Sequence, residues 1–312
     1  MKRTRALTEG AIIAALFAIL LFLTLYMPFI SMVTVWLLPL PFIIYTLRHS
    51  LKQAILLWFA AFGVSFMIGG LLALLPVFMF GTAGIVIGEL YRREKSPLAV
   101  LLGGSLTYIA WMLIFFVGSI VVLDANPLDF AQESMRQSVE TAEQVIVSMG
   151  QEPAEALEQM NELIDLMVYM APVMIIMVGI VLAVISQLVS VPVLRRLRHE
   201  VQPFPPVRTW SFPKAFLYYY LIVVILTMVG MEEGSTLYIA IWNLFPILEV
   251  VMTIQGFAVI FFYCHQKQLS KALPIIILIG SLIVTPLLFF VRILGIIDLG
   301  FDLRKRLESR GK

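Results

Sequence analysis

From Thr8 to Leu47 the chain carries a single charge, Glu9, and has room for two helical crossings of a bilayer at about 20 residues each. Further apolar runs follow at Ala54 to Tyr91, Leu98 to Leu123, Val168 to Leu194, Ala215 to Gly230, Tyr238 to Tyr263 and Leu273 to Phe301. Inside a membrane each backbone N–H and C=O must be satisfied within the structure, so such runs fold as helices. Composition agrees: 61% of the 312 residues are hydrophobic, only 13% are charged, and the mean hydropathy is +0.97. A soluble domain needs far more polar surface. The expected fold class is an all-α, polytopic helical membrane protein.

The loops set the expected topology. Arg48, His49 and Lys52, then Arg92, Arg93 and Lys95, then Arg195, Arg196 and Arg198, then His265, Lys267 and Lys271 form basic turns. Lys and Arg collect in cytoplasmic loops. Turns near Met27 to Ser31 and at Gly69 and Gly70 carry no such charge and fall on the other side. Lys2, Arg3 and Arg5 ahead of an apolar run imitate a signal peptide, but the run continues into a second span, so a first transmembrane helix with a cytoplasmic N-terminus is expected. One cysteine, Cys264, excludes an intramolecular disulfide.

Residues 124–166 break the pattern. Asp124, Asp129, Glu133, Glu140, Glu143, Glu152, Glu155, Glu158, Glu162 and Asp165 face a single base, Arg136, which places this insert outside the cytoplasm. Asn126 and Pro127 suit a helix start. Leu128, Ala131, Met135, Ala142, Val145 and Met149 recur near helical spacing. Gly150 and Pro153 mark a turn, and Leu157, Met160, Ile164 and Met167 carry an apolar stripe into the next span. A two-helix hairpin is expected, its apolar face packed on its partner and the membrane surface or, alternatively, serving as a lid.

Six spans thus form an N-terminal core, residues 1–200 with the hairpin included, followed by a Pro-rich connector and further helices over 201–312. Pro203, Pro205, Pro206 and Pro213 favour extended backbone, and Arg208, Trp210 and Lys214 suit the headgroup layer. That connector can also act as a docking strip for a partner. The run Leu273 to Phe301 is too long for one untilted span and short for two. Gly280, Thr285 and Pro286 interrupt it, and a hairpin of short segments keeps the basic tail, Arg304, Lys305, Arg306 and Arg310, cytoplasmic.

Chemistry-bearing residues are few. No Gly-rich phosphate loop is present, so the chain does not hydrolyse ATP itself. His49, His199 and His265 fall in loops, so no intramembrane metal site, cofactor or nucleic-acid partner is expected, and no catalytic constellation points to an enzyme. Glu89 and Arg93, one helical turn apart, read as an ordinary surface pair. Glu249 lies at mid-span, where a carboxylate is a functional candidate by default. Thr253 shares its face, Pro246 precedes it, Asn243 adds an amide, and Arg292 is the obvious partner. Two readings stay open: a structural pair, or a substrate site built from Glu249, Arg292, Asn243 and Thr253. Ala11, Ala14, Ala15 and Ala18 form two overlapping small-residue pairs that let another helix approach closely, and Gly84 and Gly88 repeat the theme.

Two resemblances rest on these residues. The first six spans, with Ala11/Ala15 and Ala14/Ala18 at the start of the first, resemble the substrate-binding S components of energy-coupling-factor vitamin transporters. That resemblance implies a six-helix core, a small-molecule substrate, and docking through those alanines on a transmembrane coupling subunit served by separate ATPases. The chain departs from it in its long outer hairpin and extra C-terminal helices. Over nearly its whole length the chain is similar to the YybS-type bacterial membrane proteins, through Pro205-Pro206 to Pro213, Asn243 with Gln255-Gly256, and Gly295-Ile-Ile-Asp298 before Asp302-Leu-Arg304-Lys305. It implies a multi-pass protein of the bacterial cell membrane. The leading functional expectation is a small-molecule transport component; the alternative is a membrane scaffold that recruits or regulates a partner.

Overall fold

A computed structural model describes residues 2–149 and 155–310. Among these the regular elements are all helical. In chain order they are α1 (Lys2–Tyr26), α2 (Pro28–Thr34), α3 (Leu40–Arg48), α4 (Leu51–Gly69), α5 (Leu74–Pro76), α6 (Thr82–Arg92), α7 (Pro97–Leu123), α8 (Pro127–Ser148), α9 (Glu155–Arg196), α10 (Ala215–Val229), α11 (Thr236–Gln266), α12 (Ala272–Ile283), α13 (Pro286–Phe301) and α14 (Leu303–Arg310). Seven segments among the described residues are long and apolar enough to cross a membrane: Ala6–Tyr26, Pro28–Arg48, Leu51–Gly69, Leu74–Arg92, Pro97–Leu123, Gln159–Arg196 and Thr236–Gln266. The protein is a polytopic helical membrane protein.

Several elements differ in detail from the sequence expectation. The second span is broken, because Pro39 and Pro41 remove backbone donors and a short 3-10 turn at Val35–Leu37 bridges α2 to α3. The fourth span passes through a π-helical stretch, Val77–Gly81, just after Pro76. The Trp58 indole donates to the Val77 carbonyl there at 3.1 Å. The helix α10 has 15 residues, about 22 Å at 1.5 Å per residue, and is shorter than a bilayer core of about 30 Å.

By its contacts the chain divides into two units. The first is residues 1–134 with 174–204, and the second is 135–173 with 205–312. The chain passes from the first unit to the second after Phe204, and Met135–Val173 groups with the C-terminal helices.

In the first unit α6 packs on α3 through its glycines. A Cβ at Gly84 would lie 2.6 Å from the Pro39 carbonyl oxygen, and one at Gly88 2.8 Å from that of Ile43. The small-residue spacing of this span therefore serves an internal crossing. Between α7 and α9 the buried Tyr108 hydroxyl meets that of Ser186 at 2.8 Å. Glu89 is held by Arg92 and Arg93 of its own helix end, at 2.8 and 2.7 Å.

The hairpin helices pair in the second unit. Val139, Leu157 and Ile164 are buried together with Ile146 against them, and Arg136 meets Asp165 at 2.5 Å. The buried seam thus runs along Val139 and Ile146, whereas Met135, Val145 and Met149 of the expected stripe are exposed. The expected turn at Gly150 and Pro153 lies outside the described residues. The second hairpin helix and the sixth span are one continuous helix, α9.

Candidate functional site

The C-terminal unit is built around the contact of α11 with α13. A Cβ on Gly256 would fall 1.9 Å from the Val291 carbonyl oxygen, and one on Gly295 2.0 Å from that of Met252. No side chain fits, so the two backbones touch, as small residues permit in membrane helices. Glu249, Met252 and Gln255 meet Arg292, Gly295 and Asp298 in the same order along both helices, so α11 and α13 run parallel. Two helices separated in sequence by α12 can be parallel only if α12 runs the other way. The stretch from Ala272 to Phe301 is therefore a hairpin of two short helices, broken at Val284 and Thr285 with Pro286 opening α13. Gln266 at the end of α11 donates to the Leu307 carbonyl at 2.9 Å, which fixes the basic tail at the same end of the unit as Lys267.

Three residues past the α13 register of Gly295, or before it, the interface turns polar. On one side Arg292 forms an ion pair with Glu249, with about a quarter of each side chain accessible at 22% and 27%. The Arg292 Nε is buried and has no hydrogen-bond partner among the described residues. The remaining two candidate residues are engaged with backbone. Thr253 donates to the Glu249 carbonyl one turn back at 2.7 Å. Asn243 donates to the Tyr169 carbonyl at 2.6 Å and accepts from the Val173 N–H at 3.0 Å. Those two groups are one helical rung apart in α9, so the amide bridges that rung and ties α11 to α9 just after Pro172, which has no N–H to give. The structure brings Glu249 and Arg292 together and leaves Asn243 and Thr253 as backbone clasps.

On the other side of Gly295 lies a second polar cluster that the sequence reading did not assemble. Asp298 is 4% exposed and Gln255 1%. The Asp298 carboxylate accepts from Gln255 Nε2 at 2.5 Å, from the Arg304 backbone N–H at 3.0 Å and from Arg304 Nε at 2.8 Å. Gln255 in turn accepts from the Phe212 N–H at 3.1 Å, and Arg304 donates to the carbonyls of Arg208 and Trp210 at 3.2 and 2.7 Å. The Pro-rich connector is thereby pinned to the helix ends, with the Trp210 indole closing back on Pro205 at 2.8 Å. Asp302 ends α13 in the left-handed region, φ 51°, and binds Lys214 at 2.7 Å and Lys305 at 3.4 Å. The Lys214 hydrogen bond holds the Asp302 carboxyl below the usual carboxylate range. A cavity of about 550 Å³ opens beside this network. The signal was present in the sequence: Asp298 lies in the same apolar run as Arg292, and Arg304 follows it by six residues.

Neutralising Glu249 or Arg292 singly is expected to destabilise the protein by about 1–3 kcal/mol, less than for a fully enclosed pair because both side chains are partly accessible. The double change Glu249→Gln with Arg292→Met is expected to recover most of it. Thermal unfolding of the four purified variants checks this, and additive losses mean that the two residues do not couple.

The family model described as predicted membrane protein (DUF2232) matches residues 15–299. A Bacillus subtilis (strain 168) protein described as uncharacterized protein YybS is 37% identical over 310 residues, covering 99% of this chain and 100% of the relative. No solved structure matches the chain.

Proposed function

We infer that this chain, which belongs to the DUF2232 family of predicted membrane proteins, is a transport component that binds a small molecule and docks on a second membrane protein through α1. The observation that carries this reading is the small-residue face of α1. Ala11 and Ala15 are exposed and Ala14 and Ala18 only partly covered. A groove of about 790 Å³ runs beside them, lined by Gly10, Ala11, Ala14 and Ala60. Leu7 and Leu56 at its rim are 71% and 65% exposed. Gly84 and Gly88 have the same spacing, but their helix face is already filled by α3. Ala14 packs in part against the core of its own unit, whereas Ala11 and Ala15 stay exposed among the described residues, and small residues there suit the close approach of a helix from another chain.

The resemblance to S components supplies the kind of partner: a transmembrane coupling subunit with separate ATPases, since this chain has no phosphate loop of its own. The N-terminus, connector and tail then lie in the cytoplasm and the acidic hairpin outside, on the distribution of Lys and Arg. Glu249 and Arg292 are the best-placed solute contacts, because Arg292 keeps a buried donor without an acceptor among the described residues.

Affinity purification of the full chain from its own membranes, followed by identification of co-purifying subunits, tests the docking. Ala15→Leu, at an exposed position, is expected to cut recovery of the coupling subunit at least tenfold with the unfolding midpoint unchanged, and Ala14→Leu to cut it as much while lowering the midpoint, because Ala14 also packs against the core. Recovery that is unaffected by both changes, or no coupling subunit with wild type, ends this reading. Loss of docking with solute uptake intact would put a recruiting scaffold in place of a transporter.

A further inference from the structure

We propose that the cavity at the connector end of α11 and α13 is a binding site for a phosphate-bearing anion, a class that includes a phospholipid headgroup and free phosphate. This stands apart from the transport reading and does not depend on it. Its walls carry four fixed cations, Arg208, Lys214, Arg304 and Lys305, against two carboxylates, Asp298 and Asp302. The carboxylates are already committed. Asp298 is occupied by Arg304 and Gln255, and Asp302 by both lysines. Four cations against two carboxylates leave a net charge of +2, and Arg208 is the cation with no ion pair among the described residues. Its carbonyl is used by Arg304, but its guanidinium, partly buried at the cavity edge, has no carboxylate within 4.0 Å among the described residues. A guanidinium in that position presents a planar fork of donors that matches two oxygens of a phosphate.

The neighbours suit the same chemistry. Ser211 and Lys305, the latter with its side chain 80% exposed, also line the cavity. Phe262 and Leu299 supply an apolar side. At about 550 Å³ the space is of the size that holds a small ligand. The walls are also prebuilt: Arg304 is fixed by four hydrogen bonds, so binding need not order it. Trp210 and the basic connector mark the headgroup level, where anionic lipid and free phosphate are both at hand.

The experiment uses the full chain purified in a neutral detergent and has two arms. In one, inorganic phosphate is titrated against chloride at constant ionic strength and the unfolding midpoint is followed. In the other, native mass spectrometry compares retention of phosphatidylglycerol with phosphatidylcholine. The expected result is a phosphate-dependent rise in midpoint, preferential retention of phosphatidylglycerol, or both, and the arm that responds names the source. Arg208→Gln is expected to weaken the response at least tenfold, and Lys305→Gln to weaken it less. Neither side chain holds the fold, since Arg208 makes no ion pair among the described residues and Lys305 is at the surface, so both variants should unfold at the wild-type midpoint without ligand. A wild type that discriminates neither phosphate from chloride nor phosphatidylglycerol from phosphatidylcholine overturns the proposal. So does a response that both variants retain in full.

Discussion

Gly256→Ala and Gly295→Ala are each expected to unfold the C-terminal unit at markedly lower temperature, although alanine is the better helix former. Helix propensity alone favours each change by about 1 kcal/mol. Against it, the new methyl would sit 1.9 Å from the Val291 carbonyl oxygen, or 2.0 Å from that of Met252. These are backbone atoms, so no side-chain rotation relieves the clash and the helices must separate. Overpacking of this kind costs about 1–3 kcal/mol and sometimes more. Separation would also stretch the Glu249–Arg292 and Gln255–Asp298 bonds on either side of the crossing, so a net loss beyond about 2 kcal/mol is expected. Gly63→Ala and Gly118→Ala provide the contrast, because a Cβ at either position meets nothing within 4 Å. They are expected to be neutral or slightly stabilising. Equal midpoints for Gly256→Ala and Gly118→Ala would falsify the close crossing.

Asp298→Ala is expected to be as damaging by a different route. It strands the Arg304 guanidinium, 15% exposed, and the buried Gln255 amide. Breaking one side of a buried pair typically costs about 3–5 kcal/mol. Arg304 also holds the connector carbonyls, so the tail and the connector should loosen together and become sensitive to added protease while the first unit stays resistant. Arg304→Met alone should behave similarly. Asp298→Leu with Arg304→Met should recover part of the midpoint but leave the connector loose, because the bonds to Arg208 and Trp210 stay lost. A connector that remains protected in that double variant would show that something other than Arg304 pins it.

Much of the fold was legible because a bilayer reduces the problem to length and polarity. The spans from Ala6 to Leu123, the sixth ending at Arg196, and the one holding Glu249 all stand where the apolar runs put them. The pairing of Glu249 with Arg292 was legible for the same reason: charges at membrane depth have few alternatives. Glycine was ambiguous, since spacing does not say which partner fills the notch. Gly84 and Gly88 meet their own chain, whereas Ala11 and Ala15 face out. The hairpin seam was misplaced by about a turn, because every position of α8 that is not acidic is a plausible contact, and Leu157 and Ile164 select Val139 and Ile146. Asn243 and Thr253 looked like ligand groups because an amide or hydroxyl in an apolar helix needs a partner. Sequence cannot distinguish a solute from the nearest free carbonyl.

The parallel course of α11 and α13 has a bearing on the order in which this protein is made. Residues that meet across that crossing are 35 to 43 positions apart, as Gly256 is from Val291 and Glu249 from Arg292, so α11 leaves the ribosome well before its neighbour exists. During that interval the carboxylate of Glu249 has no counter-ion and the notch at Gly256 is open. The helices α12 and α13, of 12 and 16 residues, are each too short to be retained as independent crossings. They must enter as a pair, and only their arrival closes the notch. A nascent chain halted before Arg292 would therefore hold α11 in the bilayer with an unmet charge and an uncovered groove.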